Sequence, residues 1–209
     1  MIELYHCGDA RSFRALWAFE ELGLDYKLHL LPFPPRFLKP EYLEANPLGT
    51  IPLLIDGDTR MTESAAIVQY LAERYGPTDL AVPRDDPEYG AWLNWLHFGE
   101  ATLTFPQTIV LRYRVLEPEE RRIPQAADDY AQWFHSRLRH VERALATRDY
   151  LVGGRFTVAD ISVAYALLLA KHLKIDAGFP PNVAAYWERV SSRPAFARAK
   201  AAQRETAEA

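Results

Sequence analysis

Two short segments hold residue types whose spacing could do chemistry. The first is Asn46-Pro47-Leu48-Gly49-Thr50-Ile51-Pro52-Leu53-Leu54, which sets a proline at the start of an apolar strand. Proline has no N–H to give to a ladder, and it holds the residue before it extended. If the Ile51–Pro52 bond is cis, the N–H and C=O of Ile51 turn away from sheet pairing and can receive a peptide lying antiparallel. Otherwise the segment is a plain turn before a strand. The second is Thr62-Glu63-Ser64-Ala65-Ala66-Ile67, in which Ser64 opens a helical pattern. Unpaired N–H groups and the helix dipole favour an anion there, although a serine in that place also serves as an ordinary cap. A carboxylate-binding helix start following a proline-led strand edge is a more specific pairing than either feature alone.

Other reactive residue types are sparse. The one cysteine, Cys7, excludes an internal disulfide, a multi-cysteine zinc site and a two-thiol redox motif. His6, His29, His97, His135, His140 and His172 show no metal-ligand spacing, and no metal is assigned. Arg112, Arg114, Arg121 and Arg122 cluster, but Glu117, Glu119 and Glu120 lie among them, which is the pattern of a solvated helix face. The net charge is −4, and the excess of acid falls within the first 76 residues. Neither part of the chain is basic enough for nucleic acid to be a main partner.

The elements that must position these groups change character near residue 77. Ile2 to Tyr5 alternates as a strand. Arg11 to Leu22 has helical spacing and stops at Gly23. Tyr26 to Leu31 reads as a second strand, ended by Pro32 and the Pro34-Pro35 pair. An irregular stretch with a short helix at Pro40 to Ala45 leads to an apolar strand at Ile51 to Ile55. Asp56-Gly57-Asp58 signals a hairpin turn back to Arg60–Thr62, and Ser64 to Tyr75 is a second clear helix. This order predicts a mixed sheet with helices packed on it.

Beyond a proline-rich linker the chain becomes helical, and no glycine occurs from residue 100 to 152. Pro106 is expected to kink a long helix. Residues 125–147 form another helix. Thr157 and Asp160 make an acidic capping box for the next, whose stripe Val158, Ile161, Tyr165, Leu168 and His172 reads as core. A last helix spans Val183 to Val190, and Lys200 to Ala209 is expected to fray. The longest apolar run, Val163 to Ala170, is far short of the ~20 residues of a spanning helix. No secretory signal is legible, so a soluble cytoplasmic protein is expected.

In this order and spacing the motifs resemble the glutathione transferase family over nearly the whole chain. Glu20 to Tyr26 is similar to the end of that family's first helix, and Asn46-Pro47-Leu48-Gly49 with Ile51-Pro52 to its proline loop. Glu63-Ser64 is similar to its glutamyl-binding pair, Thr157 to Asp160 to its capping box, and Trp95 to Glu100 to the first long helix of a bacterial and fungal subgroup. The resemblance implies a thioredoxin-like N-terminal domain with a mixed sheet (1–77), a linker (78–86) and an all-helical C-terminal domain with the co-substrate pocket (87–209). It implies glutathione as co-substrate. Ile51, beside Pro52, would hold the cysteinyl part through its backbone, Glu63 and Ser64 would hold the γ-glutamyl end, and Thr50 would approach the tripeptide. A homodimer is implied as well, while the charge balance and the short apolar runs leave no nucleic-acid or membrane partner expected.

The thiol of glutathione must be held as a thiolate at neutral pH. Relatives use a hydroxyl or thiol near the start of the first helix, where this chain reads Asp9-Ala10-Arg11-Ser12. Three sources remain: the Ser12 hydroxyl, the N–H groups at the helix start, and the charge of Arg11. Asp9 opposes them. Ser12 and Arg11 are the expected catalytic residues, with Cys7 a bystander. The preferred function is conjugation of glutathione to a small apolar electrophile, in the manner of detoxification enzymes. Trp95, Leu103, Phe105 and Tyr113 are candidates either for an apolar pocket or for core and dimer contacts. The alternatives are a binding or regulatory protein that has lost catalysis, and a glutathione-dependent thiol-disulfide reductase using Cys7.

Overall fold

In the computed structural model, residues Met1–Glu205 are described. The chain divides into two compact units, one formed by residues 1–81 with the segment from Ser192 onward, the other by Val82–Ser191. This differs from the division expected at residues 78–86, because the C-terminal segment returns to the first unit.

The first unit begins with β1 (Ile2–His6), α1 (Phe13–Leu22) and β2 (Tyr26–Leu30). The Pro34-Pro35 pair does more than end β2. Pro35 starts α2 (Pro35–Leu38), where its missing N–H costs nothing, and α3 (Tyr42–Ala45) follows. β3 (Leu53–Asp56) and β4 (Thr59–Met61) form the expected hairpin around Gly57, whose φ is 58°. The strand order is β2-β1-β3-β4. β1 runs parallel to β2, with Leu4 opposite Leu28, and antiparallel to β3, with Leu4 opposite Leu54. This mixed four-stranded sheet with its helices is the thioredoxin-like arrangement, and α4 (Ser64–Arg74) completes it.

Helix α1 is buried from Phe13 to Phe19, including Arg14. Two helices pack on it, α4 and the C-terminal helix described below. Gly23 ends it at φ 62° in the left-handed conformation that glycine adopts without strain.

The second unit is helical. α5 (Tyr89–His97) passes through a π-helical turn at Phe98–Thr104 into α6 (Phe105–Leu111) and a second π-helical stretch at Arg112–Leu116. Pro106, expected to kink this rod, stands in the first turn of α6. Its absent N–H and its ring disrupt the regular ladder just where the π turn ends. Thr104 donates its hydroxyl to the Gly99 carbonyl at 2.7 Å within that turn. A Cβ on Gly99 would lie 2.4 Å from Ser162 Oγ, so glycine is what permits the close approach of the next core helix.

α7 (Pro124–Ala144) and α8 (Val158–His172) follow, then α9 (Pro181–Ser191). The capping box of α8 is formed as expected. Thr157 Oγ1 accepts the Ala159 N–H at 3.2 Å, and Asp160 Oδ2 accepts the Thr157 N–H at 2.8 Å. The expected stripe holds for Val158, Ile161 and Tyr165 but not for its end, since Leu168 is half-buried and His172 exposed. α8 is buried on nearly every side until its last turn emerges, so a single stripe does not describe it.

The chain closes with α10 (Pro194–Glu205) in the first unit, and α1 is its packing partner. Lys200 to Glu205 was expected to fray and is helical instead, whereas Thr206 to Ala209 lie outside the described residues. Phe196 meets Phe13 and Trp17 edge-on at ring distances of 5.4 and 4.9 Å. Arg193 grips Glu21 through two nitrogens at 2.6 and 2.8 Å. Buried aromatic surface and a forked ion pair stabilise a helix whose own composition is unremarkable. Among the described residues no helix is long and apolar enough to cross a membrane.

Candidate functional site

The proline-led edge is set by the loop before it. Gly49 takes φ 61°, and a Cβ there would meet the Arg36 Cβ at 2.7 Å. Asn46 folds back over this turn, with its Oδ1 accepting the Leu48 N–H at 3.2 Å. The Thr50 carbonyl accepts two donors, Tyr42 OH at 2.7 Å and Asn46 Nδ2 at 2.8 Å. These bonds fix the peptide plane just before Ile51, while the Thr50 side chain is exposed. The Ile51–Pro52 bond is cis, and β3 starts only at Leu53. Ile51 and Pro52 therefore lie outside the ladder with β1. Pro52 is buried and Ile51 half-buried.

Ser64 is the first residue of α4 and is buried, while Glu63 before it is exposed and makes no side-chain cap bond. Ser64 Oγ accepts a hydrogen bond from Arg14 Nη1 at 3.1 Å. Because Ser64 Oγ accepts in that bond, its hydroxyl proton can be given to a further acceptor. Arg14 is fully buried. Sequence reasoning missed it, although its signal was present: one arginine inside the apolar run Phe13-Arg14-Ala15-Leu16-Trp17. Arginine is almost never buried without partners, so such a residue announces a polar neighbour.

The loop joining β1 to α1 places the expected catalytic residues differently. Ser12 is fully buried. Its Oγ lies 2.7 Å from His6 Nδ1 and accepts the Cys7 N–H at 3.3 Å. On the other side of the ring, His6 Nε2 meets Gln203 Oε1 at 3.0 Å. The Gln203 amide nitrogen donates to Asp9 Oδ1 at 2.8 Å, which turns Oε1 toward the imidazole. His6 thus carries its proton on Nε2, and Nδ1 accepts the Ser12 hydroxyl proton. Burial holds His6 neutral, lowering its pKa to about 4. Ser12, expected as a catalytic residue, is thus buried with its hydroxyl turned to His6. Arg11, half-buried, lies in the same loop.

Cys7 is also fully buried, its thiol directed at the Pro32 carbonyl at 3.5 Å, and burial pushes its pKa up to about 12. A thiol so placed is inert as a nucleophile. Ala10 and Ile51 pack against the same apolar cluster of Cys7, Leu31, Tyr42 and Leu53. The loop before α1 and the proline-led edge are therefore neighbours.

In the helical unit, Trp95 and Leu103 are core residues. Of the four candidates for an apolar pocket, Phe105 is exposed and Tyr113 half-buried, with Arg112 over its ring at 5.5 Å.

A thioredoxin-like unit with an unladdered strand edge and a buried Arg–Ser pair at a helix start, followed by a helical unit, is the two-unit class that the comparisons with known proteins also find. The family model for the glutathione S-transferase N-terminal domain matches residues 10–74, and that for the C-terminal domain matches residues 117–194. Glutathione S-transferase 3 of Zea mays is 31% identical over 199 residues, covering 90% of this chain and 88% of that protein. Glutathione S-transferase 3 of Schizosaccharomyces pombe is 27% identical over 208 residues, covering 93% and 85%. The crystal structure of glutathione transferase URE2P8 from Phanerochaete chrysosporium, solved with oxidized glutathione, superposes with a TM-score of 0.86 at 26% identity, over 100% of this chain and 97% of that one. The chain belongs to the glutathione S-transferase family.

Proposed function

We propose that the protein is a cytoplasmic glutathione transferase that joins the thiolate of glutathione to small apolar electrophiles. The observation that carries this reading is the buried Arg14–Ser64 pair at the start of α4. It supplies what the α-carboxylate of a γ-glutamyl group needs, namely a hydroxyl proton, helix-start N–H groups and a cation behind them. The exposed Glu63 suits the adjacent ammonium. The backbone of Ile51, outside the ladder beside Pro52, suits the cysteinyl peptide group, with Thr50 flanking it. The names of the relatives and the glutathione in the URE2P8 crystal support the same ligand.

In the reaction, the thiol gives its proton to solvent. The sulfur lone pair then forms a C–S bond with the electrophile, and the leaving group departs with the electrons of its broken bond. With Ser12 turned inward, and with the Phe13 and Arg14 N–H groups already given to the Ala10 and Arg11 carbonyls at 2.8 and 3.2 Å, the dipole of α1 and the charge of Arg11 are left to favour the thiolate. A calorimetric titration with reduced glutathione tests the binding, and conjugation of a halodinitrobenzene tests the transfer. Saturable binding with turnover is expected, and no heat of binding would remove the reading.

The loop geometry favours one second reading, a glutathione-binding protein without catalysis, because Ala10 has no hydroxyl and that of Ser12 is buried. Binding with no turnover across electrophiles would select it. The reductase reading loses support, since its only thiol is sealed. As part of the same proposal the chain forms a two-fold dimer, and a sedimentation mass near that of the 23.9 kDa monomer at micromolar concentration would contradict this.

A further inference from the structure

Helix α10 holds the loop before α1 through two side chains one turn apart. Lys200 Nζ lies 2.6 and 2.8 Å from the two carboxylate oxygens of Asp9. Gln203 accepts the Asp9 N–H at 3.1 Å with the same oxygen that faces His6, and donates to Asp9 Oδ1 at 2.8 Å. Asp9 has φ 53°, a left-handed conformation that a non-glycine residue keeps only where its surroundings fix it. Here three bonds from α10 to its carboxylate and one to its N–H do so. The ion pair is well sheltered, with side chains 31% and 24% exposed. α10 is itself anchored by Phe196 and by the forked Arg193–Glu21 pair.

Asp9 adjoins Ala10, which packs on the same cluster as Ile51. A peptide thiol held at Ile51 would lie near this loop, within range of the Asp9 charge. We propose that α10 completes the electrostatics of the glutathione site: Lys200 cancels the charge of Asp9 while Gln203 fixes its backbone, so that the bound thiolate faces the start of α1 and Arg11 rather than a bare carboxylate. The inference rests on the glutathione-binding reading above. Lys200 and Gln203 are positioning residues, since they act through Asp9. Of the other titratable groups around Asp9, His6 from β1 is neutral and bonded to Gln203, Arg11 lies in the same loop, and the Cys7 thiol is turned to Pro32.

The test follows the thiolate absorbance of bound glutathione against pH in the parent protein and in Lys200→Met, Asp9→Asn and Lys200→Met/Asp9→Asn, with affinity measured by calorimetry in each. A nearby charge moves a pKa by ~1–3 units. Lys200→Met is expected to raise the bound thiol pKa by about one unit or more, because it removes a positive charge from beside Asp9, while glutathione affinity changes little. Asp9→Asn alone is expected to lower the pKa below that of the parent. The double variant is expected to fall back to the parent value or below, which loss of structure would not produce. An unchanged thiol pKa in both single variants, with binding intact, overturns the inference and leaves the functional reading standing. A double variant as high as Lys200→Met also overturns it. Absence of glutathione binding in the parent itself overturns the functional reading and this inference together.

Discussion

Arg14 and Ser64, fifty residues apart in the chain, meet in a buried hydrogen bond of 3.1 Å between α1 and α4. A buried guanidinium needs polar partners, of which Ser64 is one, and by donating to Ser64 Oγ it leaves the serine's own proton free for another acceptor. The pair therefore joins the packing of the first unit to the helix start proposed to take the γ-glutamyl carboxylate.

Ser64→Ala is expected to weaken glutathione binding by roughly 1–3 kcal/mol, the scale of a hydrogen bond to a charged group. Arg14→Gln is expected to weaken binding as well and to lower thermal stability, because it disturbs a buried polar contact. The two effects are coupled, and a double-mutant cycle in calorimetric affinity is expected to show an interaction of at least about 0.5 kcal/mol. Strict additivity would mean that Arg14 does not act through Ser64.

The Thr50 carbonyl depends on two donors. Tyr42→Phe removes one and leaves Asn46 in place, so a loss of about 1 kcal/mol in unfolding free energy is expected. Asn46→Ala removes both its bond to Thr50 and the one holding Leu48, with a larger loss, about 2 kcal/mol. Chemical denaturation checks both. A fall in glutathione affinity that parallels the series would tie this loop to the presentation of Ile51.

Acid acts on two buried groups with opposite sign. His6 titrates at about 4 in the folded chain and near 6.5 otherwise. The unfolded state thus binds more protons between those values, and the stability from keeping His6 neutral, full above pH 6.5, is lost as pH falls toward 4. Its size is about 3 kcal/mol. Burial raises the Asp160 carboxyl from 3.8 to about 6. There the folded state binds more protons, and its contribution to stability grows as pH falls through 6. His6→Asn is expected to lose less thermal stability than the parent between pH 7 and pH 4.5, and Asp160→Asn to lose more. Melting curves at the two pH values decide this, and identical slopes in all three proteins would refute both assignments.

Gly99→Ala places a methyl 2.4 Å from Ser162 Oγ and 2.7 Å from its carbonyl oxygen. Backbone cannot yield as a side chain does, so the π-helical turn Phe98–Thr104 and α8 must part. A loss of about 2–3 kcal/mol is expected, above the gain in helix propensity. A neutral or raised melting temperature would show that the contact relaxes without cost.

What local rules govern could be read directly along the chain. Alternation and helical spacing placed β1, α1, the β3–β4 hairpin and α4, and a threonine three residues before an aspartate located the cap of α8. The proline and serine motifs carried the family resemblance because their meaning lies in backbone conformation, which nearby residues dictate. Tertiary structure decided what depends on distant neighbours. Arg14 looked like one charge on an apolar helix until α4 brought Ser64 to it. Ser12 looked like a reachable hydroxyl until His6 and Gln203 drew its proton inward. The polar end of the chain read as a fraying tail, yet Lys200 and Gln203 reach Asp9 across more than 190 positions. Composition reports how a residue behaves in water, whereas burial and pairing are settled by whichever groups the fold brings alongside.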